Sequence, residues 1–336
     1  MGFPNIGMDE REDAREIARE FHTDHQEFEA KPEDLVRVAE EVINQYDAPY
    51  ADSSSLPLTL LAHETGRQIK VVLTGDGGDE LFGGYRRYVA LERAFGLSRF
   101  PGSSRIGSPL LWFASVLTHD PRLARMGETI RAFRIGAAHA YGELFCGSYF
   151  DSRRVGGLIT SEFAERMTAC DPLDLFVRLM CTNGTPLERA MRFDLTSYLP
   201  DDLNVKMDRA TMAYGLEARS PFLDQNLVAY ALGLPLSQKV NHGKTKIALK
   251  RALSGIVPSS VIHRKKRGFQ VPLADWFRGP LKDYWRDRCL DPQGSLMNYI
   301  RLPAAQDLFE ENMRGADHGN RLWMLLSFSV WLSSHA

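Results

Sequence analysis

The 336-residue sequence predicts an α/β protein: a doubly wound layer within residues 1–95, then a mostly helical region over 96–336. Three observations carry this. Helix-period and strand-like segments alternate in the first part. A β-branched run, Ile69-Lys70-Val71-Val72-Leu73-Thr74, stops at Gly75. Beyond Tyr88 no second clear strand stands out, and helical periodicity recurs between Pro and Gly breaks.

The elements follow in order. Asp9–Phe21 sets Ala14, Ile17, Ala18 and Phe21 at i, i+3, i+4 and i+7, one apolar helix face. Asp9 and Glu10 stand where a helix start favours negative charge. Glu33–Tyr46 repeats the pattern through Leu35, Val38, Ala39, Val42, Ile43 and Tyr46. Pro57 could open a third helix that ends near Gly66. The 69–74 run suits a strand buried on both faces of a parallel sheet, and Phe3–Ile6 could be the tail of another. Helices are expected over 121–147, 186–198, 223–234, 244–254 and 321–333, and 98–109 is linker-like.

Composition narrows the classes. With 44% apolar and 25% charged residues the chain is not a disordered or collagen-like one. Lys plus Arg, 41, against Asp plus Glu, 43, leaves −2, so a general polyanion binder is excluded. Its four cysteines form no C-x-x-C pair and are expected to be reduced. His22 and His25 stand three apart with no third ligand evident. No apolar run reaches the roughly 18–20 residues that span a bilayer. No signal-peptide core opens the chain. The expectation is a cytoplasmic protein with neither membrane nor nucleic acid as partner.

Three segments carry chemistry. Thr74-Gly75-Asp76-Gly77-Gly78-Asp79-Glu80-Leu81-Phe82-Gly83-Gly84 lies between the strand and a helix. In open α/β sheets ligands sit beyond the carboxyl ends of strands, and glycines there admit close backbone approach. Three carboxylates, Asp76, Asp79 and Glu80, would repel a phosphate unless a divalent cation such as Mg²⁺ lay between them. A plain solvent-exposed turn is the other reading. In the second segment, Asp201–Ala210 running on to Asp224, Asp208 or Glu217 with Arg209 or Arg219 could form a structural ion-pair network. The third, Arg264-Lys265-Lys266-Arg267-Gly268-Phe269, is either a solvated face or a cation aimed at phosphates.

Together with Leu216-Glu217-Ala218-Arg219-Ser220-Pro221-Phe222-Leu223-Asp224 and Gly243-Lys244-Thr245, these segments make the chain resemble the synthetase domain of glutamine-hydrolysing asparagine synthetases, from about residue 3 to at least 280. Asp52-Ser53-Ser54 after Ala48-Pro49-Tyr50 fits the family's bacterial branch. The resemblance implies a parallel sheet like that of adenine nucleotide alpha-hydrolases. It implies ATP and Mg²⁺ as cofactors, and aspartate or a related carboxylate as substrate. The acid becomes an acyl-adenylate, and ammonia from a glutaminase domain or subunit then attacks it to give the amide and AMP. By position, Ile6 lines the adenine pocket, Thr74 and Gly75 contact the nucleotide, and Asp79 binds Mg²⁺. Asp76, where many members have Glu, assists adenylate formation or accepts ammonia's proton. Lys266 stabilises charge on the α-phosphate. The acid pocket is expected between segments 48–55 and 201–224.

Two features depart from the family. Its pyrophosphate loop, Ser-Gly-Gly-x-Asp-Ser, occurs nowhere in the 336 residues, and with it the first, central strand of the sheet is expected to be missing. Gly2 stands where a glutaminase would need its Cys nucleophile. A fragment of a longer protein, a partner chain supplying strand and loop, and a non-catalytic nucleotide- or partner-binding remnant remain open explanations. Turnover by this chain alone is not expected.

Overall fold

The computed structural model describes residues 11–29, 34–118, 121–146, 152–167, 172–264 and 271–335. Three helices, α1 (Arg11–Glu20), α2 (Asp34–Asn44) and α3 (Ser55–Gly66), lead into strand β1 (Val71–Leu73). The short helix α4 (Gly78–Phe82) and then α5 (Arg86–Ser98) follow the glycine-rich turn. Next come α6 (Ser108–Thr118), α7 (Pro121–Ala132) and α8 (Ala137–Cys146). The result is a mostly helical α/β protein with a small parallel sheet.

Periodicity explains which faces are buried. The stripe Leu35, Val38, Ala39, Val42 and Ile43 of α2 is fully buried. It belongs to one core with Phe277, Trp285, Phe309 and Trp323 from helices near the C-terminus. Trp285 stacks on Phe309 at 4.7 Å and donates its indole N–H to the Leu322 carbonyl at 2.9 Å, so its polar atom is satisfied. A second core joins Tyr88 and Leu91 of α5 to Tyr141, Met180 and Phe193. A third, smaller one sets Leu81 and Phe82 of α4 against Phe222, Leu223 and Ala231. That third core fixes the glycine turn to the 220–231 segment.

The strand prediction needs correction in two respects. Beyond Tyr88 a short antiparallel pair, Val240–Asn241 with Lys244–Thr245, takes the start of the expected 244–254 helix, and a strand β2 (Glu217–Arg219) pairs in parallel with β1 in the register Val71–Glu217, Val72–Ala218, Leu73–Arg219. Its sequence has no β-branched residue. The backbone ladder makes it a strand: Glu217 N–H donates to the Lys70 carbonyl and Thr74 N–H to the Arg219 carbonyl, both at 2.8 Å. Nor is β1 buried on both faces, for Leu73 is 69% exposed. Among the described residues the sheet is two strands wide, which leaves Val71 and Leu73 without a covering layer. Phe3–Ile6 lies outside the described residues.

The 186–198 segment also differs from its expectation. The α-helix Pro186–Phe193, opened by a Thr185–Glu188 capping box, gives way to a wide, π-type stretch over Asp194–Asn204. Pro200 lies inside that stretch and lacks the N–H that a regular α-turn requires. The widened backbone carries Asp194 into the interior, leaves Asp202 half-buried, and hands the chain to helix Val205–Met212.

Candidate functional site

Both strands point their carboxyl ends at one crevice. Its volume is about 280 Å³, and Thr74, Asp76, Asn204, Asp208, Glu217 and Ser220 contribute its polar walls. Thr74 and Asp76 follow β1, Ser220 follows β2, and Asn204 and Asp208 come from the start of helix Val205–Met212. Thr74 Oγ1 donates to Asp76 Oδ2 at 2.8 Å, and Ser220 Oγ donates to the Asp76 carbonyl at 2.5 Å. Asp76 is therefore held at both its side chain and its backbone while facing open space.

The three carboxylates of the glycine turn part company. Only Asp76 lines the crevice. Glu80 is 2% exposed and accepts the Tyr85 hydroxyl, and burial pushes its carboxyl up from the usual range. Asp79 Oδ1 lies 2.6 Å from Lys246 Nζ. Mg²⁺ typically needs one or two carboxylates together with substrate oxygens. With the Lys246 ammonium on Asp79 Oδ1, a divalent cation on that oxygen would meet like charge, so as arranged the pair does not fit a metal. No group of three or more His, Cys, Asp or Glu side chains near enough to hold a metal occurs among the described residues.

The glycines divide in the same way. Gly77 has φ +83° and a Cβ there would sit 2.4 Å from Leu223 Cδ2, so this glycine serves the turn and the third core. A Cβ on Gly84 would fall 1.8 Å from Asp79 Oδ1 and 2.3 Å from Lys246 Cε. Gly84 thus makes room for the ion pair. A Cβ on Gly75 meets nothing within 4 Å. Packing does not explain that glycine, which lies in sequence between Thr74 and Asp76 of the crevice wall.

A second polar cluster lies against α3. Lys206 Nζ contacts Asp52 Oδ2 at 2.5 Å and Ser54 Oγ at 2.8 Å, across more than 150 residues of sequence. Tyr50 donates its hydroxyl to Asp202 and stacks on Tyr46 at 4.0 Å. Segments 48–55 and 201–224 are therefore in contact. Burial and the neighbouring Asp52 raise the Asp202 carboxyl to about 6. Burial also works against the Asp52 charge, but Lys206 outweighs it and holds that carboxyl below its usual range.

A third cluster is closed. Asp194 is fully buried and accepts from Arg87 at 2.8 Å and from the Tyr88 and Tyr141 hydroxyls at 2.5 Å each. The Arg87 guanidinium lies 3.8 Å over the Tyr85 ring.

Thr74, Gly75 and Asp76 are thus together in space. Asp79 adjoins them in sequence but faces Lys246. Ile6 and Lys266 lie outside the described residues. Arg264, at the edge of the basic run, pairs with Asp13 at 3.2 Å and Glu16 at 3.1 Å on α1. In the second segment Glu217 pairs with Arg219 at 2.8 Å, whereas Arg209 reaches Asp47 at 2.5 Å and Asp208 lines the crevice. Ser220, Lys206 and Lys246 escaped the sequence reasoning. Their partners are fixed by tertiary contacts, and no local spacing announces them.

A small parallel sheet with a polar crevice beyond its strand ends is the arrangement in which α/β proteins place their ligands. Residues 1–333 match the asparagine synthase family, and the chain belongs to that family. It is 32% identical over 335 residues to a putative glutamine-hydrolysing asparagine synthetase of Mycobacterium tuberculosis, covering 98% of this chain and 49% of that protein. With glutamine-hydrolysing asparagine synthetase 1 of Bacillus subtilis it shares 28% identity over 338 residues, covering 99% and 51%. An amidase of Penicillium rubens, chyE, is 26% identical over 331 residues, covering 91% and 48%. The chain spans about half the length of these relatives.

Proposed function

We propose that the crevice holds an acyl-adenylate and that the chain is the synthetase part of an ATP-dependent amide ligase acting on aspartate or a related carboxylate. The observation that carries this reading is the convergence of Thr74, Asp76 and Ser220 on one crevice at the carboxyl ends of both strands, with Gly75 between the first two in sequence. Gly75 offers a backbone approach that no side chain obstructs, and the Thr74 hydroxyl faces the same space. A carboxylate oxygen of the acid attacks the α-phosphorus of ATP and pyrophosphate leaves. Ammonia from a glutaminase domain or subunit then attacks the acyl carbon. Asp76, oriented by Thr74 and Ser220, takes the proton that the nitrogen sheds, and AMP leaves. Ile6 at the adenine and Lys266 at the α-phosphate complete the set by resemblance. By resemblance Asp79 would hold Mg²⁺, but Lys246 pairs with that carboxylate at 2.6 Å, so the residues as arranged do not fit the ion. The acid is recognised where Asp52, Lys206, Asp202 and Tyr50 bring the two expected segments together. The Asp79–Lys246 pair favours one second reading, a nucleotide-binding protein without catalysis.

An acyl-adenylate carries no β- or γ-phosphate, so its binding does not call on the Ser-Gly-Gly-x-Asp-Ser loop. The stable analogue aspartyl-sulfamoyl adenosine is therefore expected to bind in titration calorimetry more tightly than ATP. Given ATP, Mg²⁺, aspartate and ammonia, this chain alone should release no pyrophosphate above background. Failure of every aminoacyl- or acyl-sulfamoyl adenosine tested to bind would refute the adenylate crevice. Pyrophosphate release would refute the need for the loop.

A further inference from the structure

Helix α6 is built inside out. Its inward positions carry small and polar groups: Ser108 and Ser115 are buried, and Gly127 of α7 approaches so closely that a Cβ there would lie 2.9 Å from the Ser108 carbonyl. Its outward arc carries Leu110, Trp112, Phe113, Val116 and Leu117, each more than half exposed, with Trp112 at 56% and Leu117 at 66%. At 100° per residue these five span about 160° of the helix, a broad apolar face. Ile106 and Phe100, on the approach to the helix, are also exposed. Scattered surface hydrophobics are ordinary, but a contiguous aromatic and aliphatic face with serines beneath it is not.

The charge around this face is mainly positive. From Glu92 to Arg131 the sequence holds six arginines, 93, 99, 105, 122, 125 and 131, against three carboxylates, Glu92, Asp120 and Glu128; Arg131 pairs with Glu128 at 3.6 Å, and Arg93 lies against Gly243. The chain as a whole is near neutral, so this concentration is local. Exposed Arg99 and Arg105 stand on the segment leading into α6, and exposed Arg122 and Arg125 lie on α7 beside it. α6 itself carries no charge, but its Trp, Phe and Leu arc with arginines on the flanking segment and on α7 is a surface that an anionic bilayer interface would match. No described helix is long and apolar enough to cross a membrane, so the attachment is to the surface.

We propose that α6 seats the protein on an anionic lipid surface, its apolar arc in the headgroup–acyl boundary and its arginines on the lipid phosphates. A second copy of the chain fits the face less well. A two-fold interface would set the same arginines against each other, with fewer carboxylates than cations to pair them. The proposal departs from the expectation of no membrane partner, which rested on the lack of a spanning run. It is independent of the ligase reading, because no residue of the crevice lies on α6.

The test is sedimentation with vesicles of phosphatidylcholine and phosphatidylglycerol at 3:1, and with phosphatidylcholine alone. The chain should pellet with the anionic vesicles and at least about tenfold more weakly with the neutral ones. Leu110→Ser with Leu117→Ser should weaken anionic binding by about tenfold or more while leaving the melting temperature unchanged, since both side chains face solvent. Trp112 emission should shift to the blue on binding, with the shift lost in Trp112→Phe. Equal binding by the double variant and the parent would overturn the proposal. So would a chain that ignores vesicles but sediments as a dimer broken by the same substitutions, which would assign the face to a second copy. Capture of another protein by this face without vesicle binding would overturn it as well.

Discussion

The Asp194 cluster and the Asp76 crevice each centre on one carboxylate, Asp194 beside Arg192 and Phe193 and Asp76 in a glycine-rich acidic turn. In the fold they are opposites. Asp194 is sealed, with two tyrosine hydroxyls and a guanidinium on one oxygen. Asp76 accepts one side-chain bond, is anchored through its carbonyl, and opens onto about 280 Å³ of space. A carboxylate enclosed by its own side-chain partners holds structure together, although Asp194 Oδ1 itself is buried without a hydrogen-bond partner among the described residues. One that is positioned but left facing a cavity has capacity left for a ligand.

This contrast sets the order of effects. Asp194→Ala strands the Arg87 guanidinium in the interior and should cost about 3–5 kcal/mol in urea denaturation. If Asp194 instead belonged to a ligand site, stability would hold and only binding would change. Gly84→Ala comes next. It forces apart the Asp79–Lys246 pair, and the expected loss is about 2 kcal/mol by the same measurement. Since these are flexible side-chain ends, a loss near zero would show that the pair opens freely, which would return Asp79 to metal binding.

Asp202 tests the intermediate case, a carboxyl that is half-buried and next to the proposed acid pocket. Its pKa is raised to about 6, so between about pH 4 and pH 6 the folded chain keeps a proton that the unfolded chain has released. Stability from this group therefore falls as pH rises through that window and stays lower above it. Asp202→Asn mimics the protonated form. Relative to the parent it should gain on the order of 2 kcal/mol between pH 4 and pH 8, read from unfolding curves at the two pH values. A difference independent of pH would mean that Asp202 titrates normally.

Much of the scaffold was legible in the sequence because burial obeys period. The α2 stripe was read residue by residue, and helices α1 to α3 were placed to within two residues of their observed ends. What escaped depended on distant chain. β2 is a strand only because β1 lies beside it, and Glu217-Ala218-Arg219 has no propensity to announce that. The glycine turn was recognised, but not that its three carboxylates face three ways. Spacing says how near residues are along the chain, whereas Lys246 and Tyr85, which claim Asp79 and Glu80, are chosen by packing. Thr74, Gly75 and Asp76 could be grouped in advance because a strand end followed by a glycine fixes their neighbourhood by local geometry alone.

Gly75 gives the most direct check, since a Cβ there meets nothing within 4 Å and stands between Thr74 and Asp76, beside the space proposed for the adenylate. Gly75→Val should keep the parent's melting temperature to within about 2 °C, a stability change under roughly 0.5 kcal/mol. Its affinity for aspartyl-sulfamoyl adenosine should drop by at least about tenfold, the loss of close backbone contact. If the variant folds as well as the parent and binds the analogue just as tightly, the nucleotide does not lie at the ends of these strands.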